Sequence, residues 1–304
     1  MLTMQNVRFG YQPGRTLFDD LDFDVGPGGV VGLLGKNGAG KTTLLKIALG
    51  LLFAQNGRSE LFGVDAARRR HDVLARVALI PEQFELPPVS ITRYGKDWGA
   101  YYPRFNAAAY RDYLDRFEVP ESGKLTQLSY GQQKKVLIAF ALASGAELIL
   151  LDEPTNGLDI PAKQVFRSLV AEAAGQDRAI VISTHQVRDV ENLIDPVVVL
   201  DEGRVVFEAE MDRLTTAVEL RRFATEEDAQ AAGAFALERS LGQVTALVPT
   251  RSAAGASDTA AAGADAAAGA AAGELVSHAV DLELLFQAAI SRPTELTAAC
   301  GGAR

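Results

Sequence analysis

The hydrophobic pattern of the first forty residues reads as three short strands, over residues 2–11, 17–25 and 30–34, with a turn at Pro27-Gly28-Gly29 before the third. The third, Val30-Val31-Gly32-Leu33-Leu34, is apolar without alternation, as expected of a strand buried on both faces. A glycine-rich loop follows, and then residues 41–49 read as a helix. Further strands are expected at 77–80, 148–151 and 179–183, and residues 197–207 read as a hairpin turning at Asp201-Glu202-Gly203-Arg204. Between about 84 and 145 the spacing of apolar and polar positions is mostly helical, and Tyr94, Trp98, Tyr101, Tyr102, Phe105, Tyr110, Tyr113 and Phe117 crowd together there. The pattern predicts an α/β unit: a mostly parallel sheet with helices around it, interrupted by a helical insertion.

The pattern changes after about residue 212. Residues 218–222 and 243–249 read as strands of a second, smaller domain. Residues 252–273 are almost entirely Ala, Gly, Ser, Thr and Asp, a composition that favours a flexible insert. Order is expected again at 281–290, where Leu282, Leu285, Phe286 and Ala289 share one face of a short docked helix. Residues 295–304 are expected to be a loose tail.

Composition narrows the functional classes. Hydrophobic residues make up 48% and charged residues 23%, within the range of folded globular chains. The net charge of -9 argues against broad, nonspecific nucleic-acid binding. With a single cysteine, Cys300, the chain can form no internal disulfide and no cysteine zinc site, which fits a reducing compartment. The opening residues, Met1 to Asn6, have no basic region followed by an apolar core, so no signal peptide is expected. No run approaches the ~20 apolar residues needed to span a bilayer. Any membrane role is therefore expected to run through a partner.

The decisive segment is Gly35-Lys36-Asn37-Gly38-Ala39-Gly40-Lys41-Thr42, which fits G-x-x-x-x-G-K-[ST] and lies between a predicted strand and a predicted helix. Small residues let successive main-chain N–H groups face phosphate oxygens, and the helix N-terminus adds a favourable field. Lys41 supplies charge to the β- and γ-phosphates and Thr42 a hydroxyl to Mg²⁺. Thr43 completes the candidate ATP-binding loop. At the end of the apolar run Leu148-Ile149-Leu150-Leu151 stand Asp152 and Glu153. Asp152 is the candidate Mg²⁺ ligand and Glu153 the candidate general base toward an attacking water.

Between the two motifs lies Leu128-Ser129-Tyr130-Gly131-Gln132, which resembles the L-S-G-G-Q signature of the ABC ATPase family. Other positions carry the same resemblance over roughly residues 1–210. Tyr11 resembles the aromatic residue that stacks on adenine. Gln83 matches the glutamine that senses Mg²⁺ and the coupling interface. Pro154 completes the second nucleotide motif, Gly157-Leu158-Asp159 matches the loop that crosses to the partner subunit, and His185 matches the switch histidine at the γ-phosphate. Asp159 also suits the cap of a helix over residues 162–169. The resemblance implies a P-loop NTPase of ABC type, with an antiparallel β subdomain, the helical insertion and a small C-terminal accessory domain over 213–294. It also implies two subunits, expected to be identical, arranged head to tail around two Mg-ATP. Ser129, Gly131 and Gln132 then act on ATP held by the opposite protomer.

Tyr130 stands where the family has a glycine, and its side chain is expected to point away from the phosphates. The segment 94–105 resembles the aromatic segment of the YtrB-like branch, whose members serve ABC-2 type exporters; helical core packing explains the same residues without a partner. The motif 281–286 resembles the closing segment of that branch. The implied function is an ATP hydrolase on the inner face of a bacterial membrane, powering export through a separate permease. An importer ATPase and a soluble ABC ATPase acting on nucleic acid or ribosomes are the alternatives. A charged linker, a second ATPase core, long coiled coils and zinc modules, which mark the soluble classes, are not seen in the sequence.

Overall fold

The structure, a computed structural model, describes residues 1–120, 123–175, 177–240, 242–250, 273–277 and 280–302. The chain divides into two compact units, Met1–Asp195 with Leu200–Val205, and Pro196–Val199 with Val206–Arg304.

The first unit opens on β1 (Leu2–Phe9) and β2 (Phe18–Val25), the first pair of an antiparallel sheet. In β1 the buried residues are Leu2 and Met4, then Val7 and Phe9. The two-residue rhythm slips where the pairing register shifts between Met4 and Val7. Asn6 takes φ 50° there, and Asp22 accepts its N–H while Asp20 accepts its side-chain amide. The irregularity keeps the apolar positions on one face on both sides of it.

The strand β3 (Val30–Leu34) leads through the glycine loop into α1 (Lys41–Ala48). The strands β4 (Asn56–Leu61) and β5 (Val64–Asp65) complete the antiparallel sheet in the order β2-β1-β4-β5. After the single turn α2 (His71–Leu74) comes β6 (Val77–Ile80). The helical insertion is α3 (Ile91–Gly99), α4 (Ala107–Arg116) and α5 (Tyr130–Ala143). Then follow β7 (Leu148–Asp152), α6 (Ile160–Ala173), β8 (Ala179–Thr184) and the hairpin β9 (Val197–Asp201) and β10 (Arg204–Ala209). Within the first unit the second sheet runs in the order β3-β8-β7-β6, and its pairs β3–β8, β7–β8 and β6–β7 are parallel.

Every residue of β3, β7 and β8 is buried, which accounts for their unbroken apolar sequences. Leu34 pairs with Thr184 and Asp152 with Ser183, so the three strands end together and their outgoing loops share one edge of the sheet. In open α/β sheets that edge is where ligands bind.

The aromatics of the insertion do two things. Tyr94, Tyr102, Phe105 and Tyr110 surround Phe140 of α5 at centroid distances of 5.2 to 6.0 Å. Trp98 and Tyr101 instead remain 37% and 66% exposed, along a groove that Tyr94, Tyr102 and Leu79 also line.

The second unit carries α7 (Met211–Ala217), β11 (Val218–Phe223), α8 (Glu226–Ala231), β12 (Ala236–Ser240), β13 (Gln243–Pro249), β14 (Glu274–Ser277), α9 (Leu282–Ser291) and α10 (Pro293–Ala299). Its antiparallel sheet has the order β12-β13-β11-β14, with Phe223, Val244, Ala246 and Val248 in its core. Nearly all of the expected flexible insert, residues 252–272, lies outside the described residues. Two features differ from the sequence reading. The buried face of α9 is broader than expected, because Leu284 and Ala288 join Leu282, Leu285 and Ala289 while Phe286 is half-buried. Where a loose tail was expected from residue 295, the chain forms α10: Pro293 pre-sets its first turn and Leu296 is fully buried. One apolar anchor in a polar stretch was too weak a periodic signal to announce this helix. Residues 303 and 304 lie outside the described residues.

Candidate functional site

The loop between β3 and α1 depends on its glycines. Gly38 and Gly40 sit at φ 86° and 111°, in the left-handed region. A Cβ on Gly40 would also come within 2.7 Å of the Phe18 ring. Gly40 caps α1 with no side-chain bond of its own, so the cap takes no side chain into the space before the first-turn N–H groups, and these have no partner inside the helix. Lys41 turns back over the loop: its Nζ donates to the Gly35 carbonyl at 2.7 Å and the Lys36 carbonyl at 3.3 Å. The same Nζ lies 3.4 Å from Glu153 Oε1, and both side chains are buried.

Asp152 and Glu153 leave the end of β7 beside the end of β8. Thr42 Oγ1 donates to Asp152 Oδ2 at 2.6 Å, and the Ser183 hydroxyl donates to the other carboxylate oxygen. Glu153 takes φ 46°, an uncommon conformation for a side chain of its size. Its carboxylate accepts from Thr184 Oγ1 and the His185 main-chain N–H, each at 3.0 Å, and lies 2.7 Å from His185 Nδ1. Lys134 of α5 reaches in behind, donating to the Glu153 carbonyl at 2.9 Å. Burial lowers the pKa of Lys134, and the nearby Glu82, Asp152 and Glu153 work against that.

Asp152 and Glu153 border a cleft of about 480 Å³ that Tyr11, Asn37, Lys41, Thr42 and Thr43 also line. Tyr11 is 61% exposed, packs edge-on against Phe9 at 5.0 Å, and shares a 2.8 Å hydrogen bond with Thr43 Oγ1. An aromatic face at the mouth, a lysine inside and a rim of small residues suit a planar base joined to phosphates. The donor set also suits magnesium. Thr42 Oγ1 and Asp152 are adjacent hard oxygen ligands, and among the described residues no group of three or more His, Cys, Asp or Glu forms a cage. Mg²⁺ is usually held by one or two carboxylates, waters and substrate phosphates.

The other sequence-predicted residues lie elsewhere in the first unit. Ser129 caps α5: its Oγ accepts from Gln132 N–H at 3.3 Å, while Gln132 Oε1 accepts from Ser129 N–H at 3.0 Å. A Cβ on Gly131 would stand 2.6 Å from the Gly157 carbonyl, so the signature and the 157–159 loop meet in close contact. Asp159 caps α6 through the Ala162 N–H at 2.9 Å. Ser129, Gly131, Gln132 and Asp159 do not line the cleft. Gln83 is exposed, and its neighbour Glu82 lines the cleft instead. Ala39 and Gly35 are buried beneath the loop. Tyr130 turns toward the loop after β6, where its hydroxyl donates to the Glu82 carbonyl at 2.7 Å and its ring stacks on Phe84.

Sequence reasoning passed over Ser183, Thr184, Glu82 and Lys134, and also Arg15, which lines the cleft. Ser183 and Thr184 could have been found from the parallel pairing of two apolar strands, which sets their last residues beside Asp152 and Glu153. Lys134 carried a signal as well, a charge at the entry of an otherwise apolar helical stretch.

Residues 18–156 match the ABC transporter family. The ABC transporter ATP-binding protein YtrB of Bacillus subtilis (strain 168) is 29% identical over 203 residues, 66% of this chain and 69% of its own length. The Nod factor export ATP-binding protein I of Cupriavidus metallidurans is 31% identical over 220 residues, 70% of this chain and 72% of its own. A solved structure of the ATP-binding subunit of an ABC transporter superposes with a TM-score of 0.64 at 27% identity, covering 70% of this chain and 91% of that one. The matched stretch carries both the phosphate loop and the acidic strand end, so the likeness reaches the chemistry as well as the fold: the chain belongs to the ABC transporter family of ATP-binding subunits and is an ATP hydrolase of that type.

Proposed function

We propose that two copies of this ATPase close head to tail around two Mg-ATP and drive export through a separate ABC-2 type permease. The observation that carries the first half is a division of labour within one unit. The phosphate loop, Asp152, Glu153 and His185 are bonded to one another, whereas Ser129 is exposed and neither it nor Gly131 lines their cleft. Donors at a helix N-terminus that face away from the phosphate site of their own chain are suited to the γ-phosphate of another.

In this reading Tyr11 stacks on adenine, and the N–H groups of residues 37–43 with Lys41 hold the phosphates. A water attacks the γ-phosphorus in line, its proton passes to Glu153, and the bond to the ADP oxygen breaks. His185 orients the γ-phosphate and Glu153, and Asp159 meets the opposing protomer. Thr42, Asp152 and Gln83 would hold Mg²⁺, which supplies charge neutralisation on the β- and γ-oxygens. ATP joins the protomers and hydrolysis loosens them; a permease that contacts the two states differently is moved by the cycle.

The export reading is supported by the chain's relatives, among them a Nod factor export ATP-binding protein. Among the described residues no helix is long and apolar enough to cross a membrane, so transport needs a second protein, and the chain would sit on the inner membrane face. The exposed Trp98 and Tyr101 offer that protein aromatic anchors. Residues 213–294 are read as an accessory domain of the exporter branch.

The test is complementation between dead protomers. Lys41→Ala and Ser129→Ala are each expected to be inactive alone. In an equimolar mixture, head-to-tail pairing creates one site with both an intact loop and an intact signature, and part of the Mg-ATP hydrolysis returns. A mixture as inactive as its components would remove the head-to-tail reading.

A further inference from the structure

Lys134 has no assigned part in the cycle, yet it is among the most enclosed side chains of the molecule, with no solvent exposure. A buried ammonium must recover the hydrogen bonds it loses with water. Its partners are two main-chain carbonyls and a phenol: Glu153 O at 2.9 Å, Glu82 O at 3.4 Å and Tyr130 Oη at 3.5 Å. The three belong to three different segments, the strand end after β7, the loop after β6 and the signature turn. Tyr130 seals the arrangement from outside. Its hydroxyl donates to the same Glu82 carbonyl at 2.7 Å, its ring stacks on Phe84 at 5.1 Å and 12°, and the two rings lie 5.5 and 5.8 Å from Lys134 Nζ.

The Glu153 carbonyl belongs to a residue at φ 46°, whose other groups are held as well. Its N–H is pinned to Ser183 O at 2.9 Å and its carboxylate to Thr184 and His185. The Asn156 N–H also donates to this carbonyl, at 3.3 Å, and Lys134, closer at 2.9 Å, is the side chain that fixes it from α5, on a residue whose φ is uncommon for its size. We infer that Lys134 is a positioning residue that sets the carboxylate of Glu153, with Tyr130, at the position of the family's glycine, as the cover that holds Lys134 in place. The lysine stands on the same helix that Ser129 caps, so a shift of the signature turn is carried to Glu153 through the hydrogen bond from Lys134 Nζ to its carbonyl. This rests on reading Glu153 as the general base.

Lys134 does not line the nucleotide cleft, so its loss acts on turnover and not on nucleotide affinity. The experiment is steady-state Mg-ATP hydrolysis by the full chain, with nucleotide affinity from titration of a fluorescent ATP analogue. Lys134→Met, Tyr130→Phe, their double variant and Glu153→Gln are compared. Lys134→Met is expected to lower kcat by about tenfold to a hundredfold with KM and affinity held within about twofold. Tyr130→Phe keeps the ring and loses the hydroxyl, and is expected to lower kcat several-fold; the double variant should be no slower than Lys134→Met, because both act through one contact. A merely structural lysine would move the melting temperature and leave kcat per folded protein unchanged, which overturns the inference. So does a matched loss of affinity, or effects of the two variants that multiply. If Lys134→Met does not fold, the decision passes to Tyr130→Phe, where a wild-type kcat overturns it. A Glu153→Gln variant with wild-type turnover removes the base assignment, and the inference with it; an inactive Glu153→Gln beside a fully active Lys134→Met removes the inference alone.

Discussion

The phosphate-loop side and the signature side of the first unit are built from the same kinds of residue and finished to different degrees. On the phosphate side Lys41, Asp152 and Glu153 all have counterparts within the chain: Lys41 with the carbonyls of Gly35 and Lys36 and with Glu153, Asp152 with Thr42 and Ser183, and Glu153 with Thr184 and His185. On the signature side the Ser129 and Gln132 side chains bond, among the described residues, to each other's main chain in a capping box, and Asp159 caps its own helix with Lys135 Nζ 4.0 Å away. A side that is complete alone can be held rigid before substrate arrives. A side that is only capped can be presented outward, to a partner. On the proposed head-to-tail pairing, the difference assigns preorganisation for chemistry to one side and recognition to the other.

The sharpest way to break this contrast is Glu153→Gln. Turnover is expected to fall by roughly 10²–10⁴-fold, the range for a general base, while ATP binding persists. Measuring hydrolysis and nucleotide affinity on the same preparation checks it; a parallel loss of both would mean that the phosphate side is not preassembled. Ser129→Ala should come next. Loss of a γ-phosphate donor is expected to lower kcat by about 10²-fold, and loss of the cap to cost about 1 kcal/mol of stability. Ser129→Asn, which still caps, should recover the melting temperature and not the turnover. Recovery of both would reduce Ser129 to a cap.

Gly131→Ala is milder. The added methyl must displace the Gly157 carbonyl it would meet at 2.6 Å, and an expected fall of about tenfold in kcat without loss of ATP affinity would separate the signature from the cleft. The smallest effect concerns the brace between α4 and α6. The Glu172 carboxyl is held down at about 2, from its ordinary 4.5, first by the Arg116 guanidinium and then by the Ser168 hydroxyl. A depressed carboxyl adds stability that is fully present above pH 4.5 and lost as pH falls through about 2. Both side chains are substantially exposed, so the gain after screening is at most about 1 kcal/mol. Arg116→Met should lower the melting temperature slightly near neutral pH and converge on the wild type only as pH falls to about 2 and below. Parallel curves across that range would dismiss the ion pair as a stabilising element.

Much of this was legible in the linear chain, for identifiable reasons. The runs 30–34, 148–151 and 179–183 become the buried parallel strands because such strands tolerate no polar face. The edge strand β12 and the short β14 were missed, since half-exposed strands lack that signature. The helix α10 was missed because one buried leucine makes no period. For the site, Gly38, Gly40, Lys41, Thr42, Asp152 and Glu153 were readable from motifs, whose spacing is short enough to be set by one loop or one strand end.

The sequence by itself determined the chemistry on offer: a loop that only glycine can fold, a lysine and hydroxyl at the helix start, two acids at a strand end, and a capped turn bearing a serine. The tertiary structure decided which of these meet. Parallel register between β7 and β8 brings Ser183, Thr184 and His185 onto the two carboxylates, and α5 brings a buried lysine under Glu153 with Tyr130 over it. Those contacts join residues far apart in the chain. No local periodicity encodes them, because they exist only once the apolar faces of separate elements have been buried together.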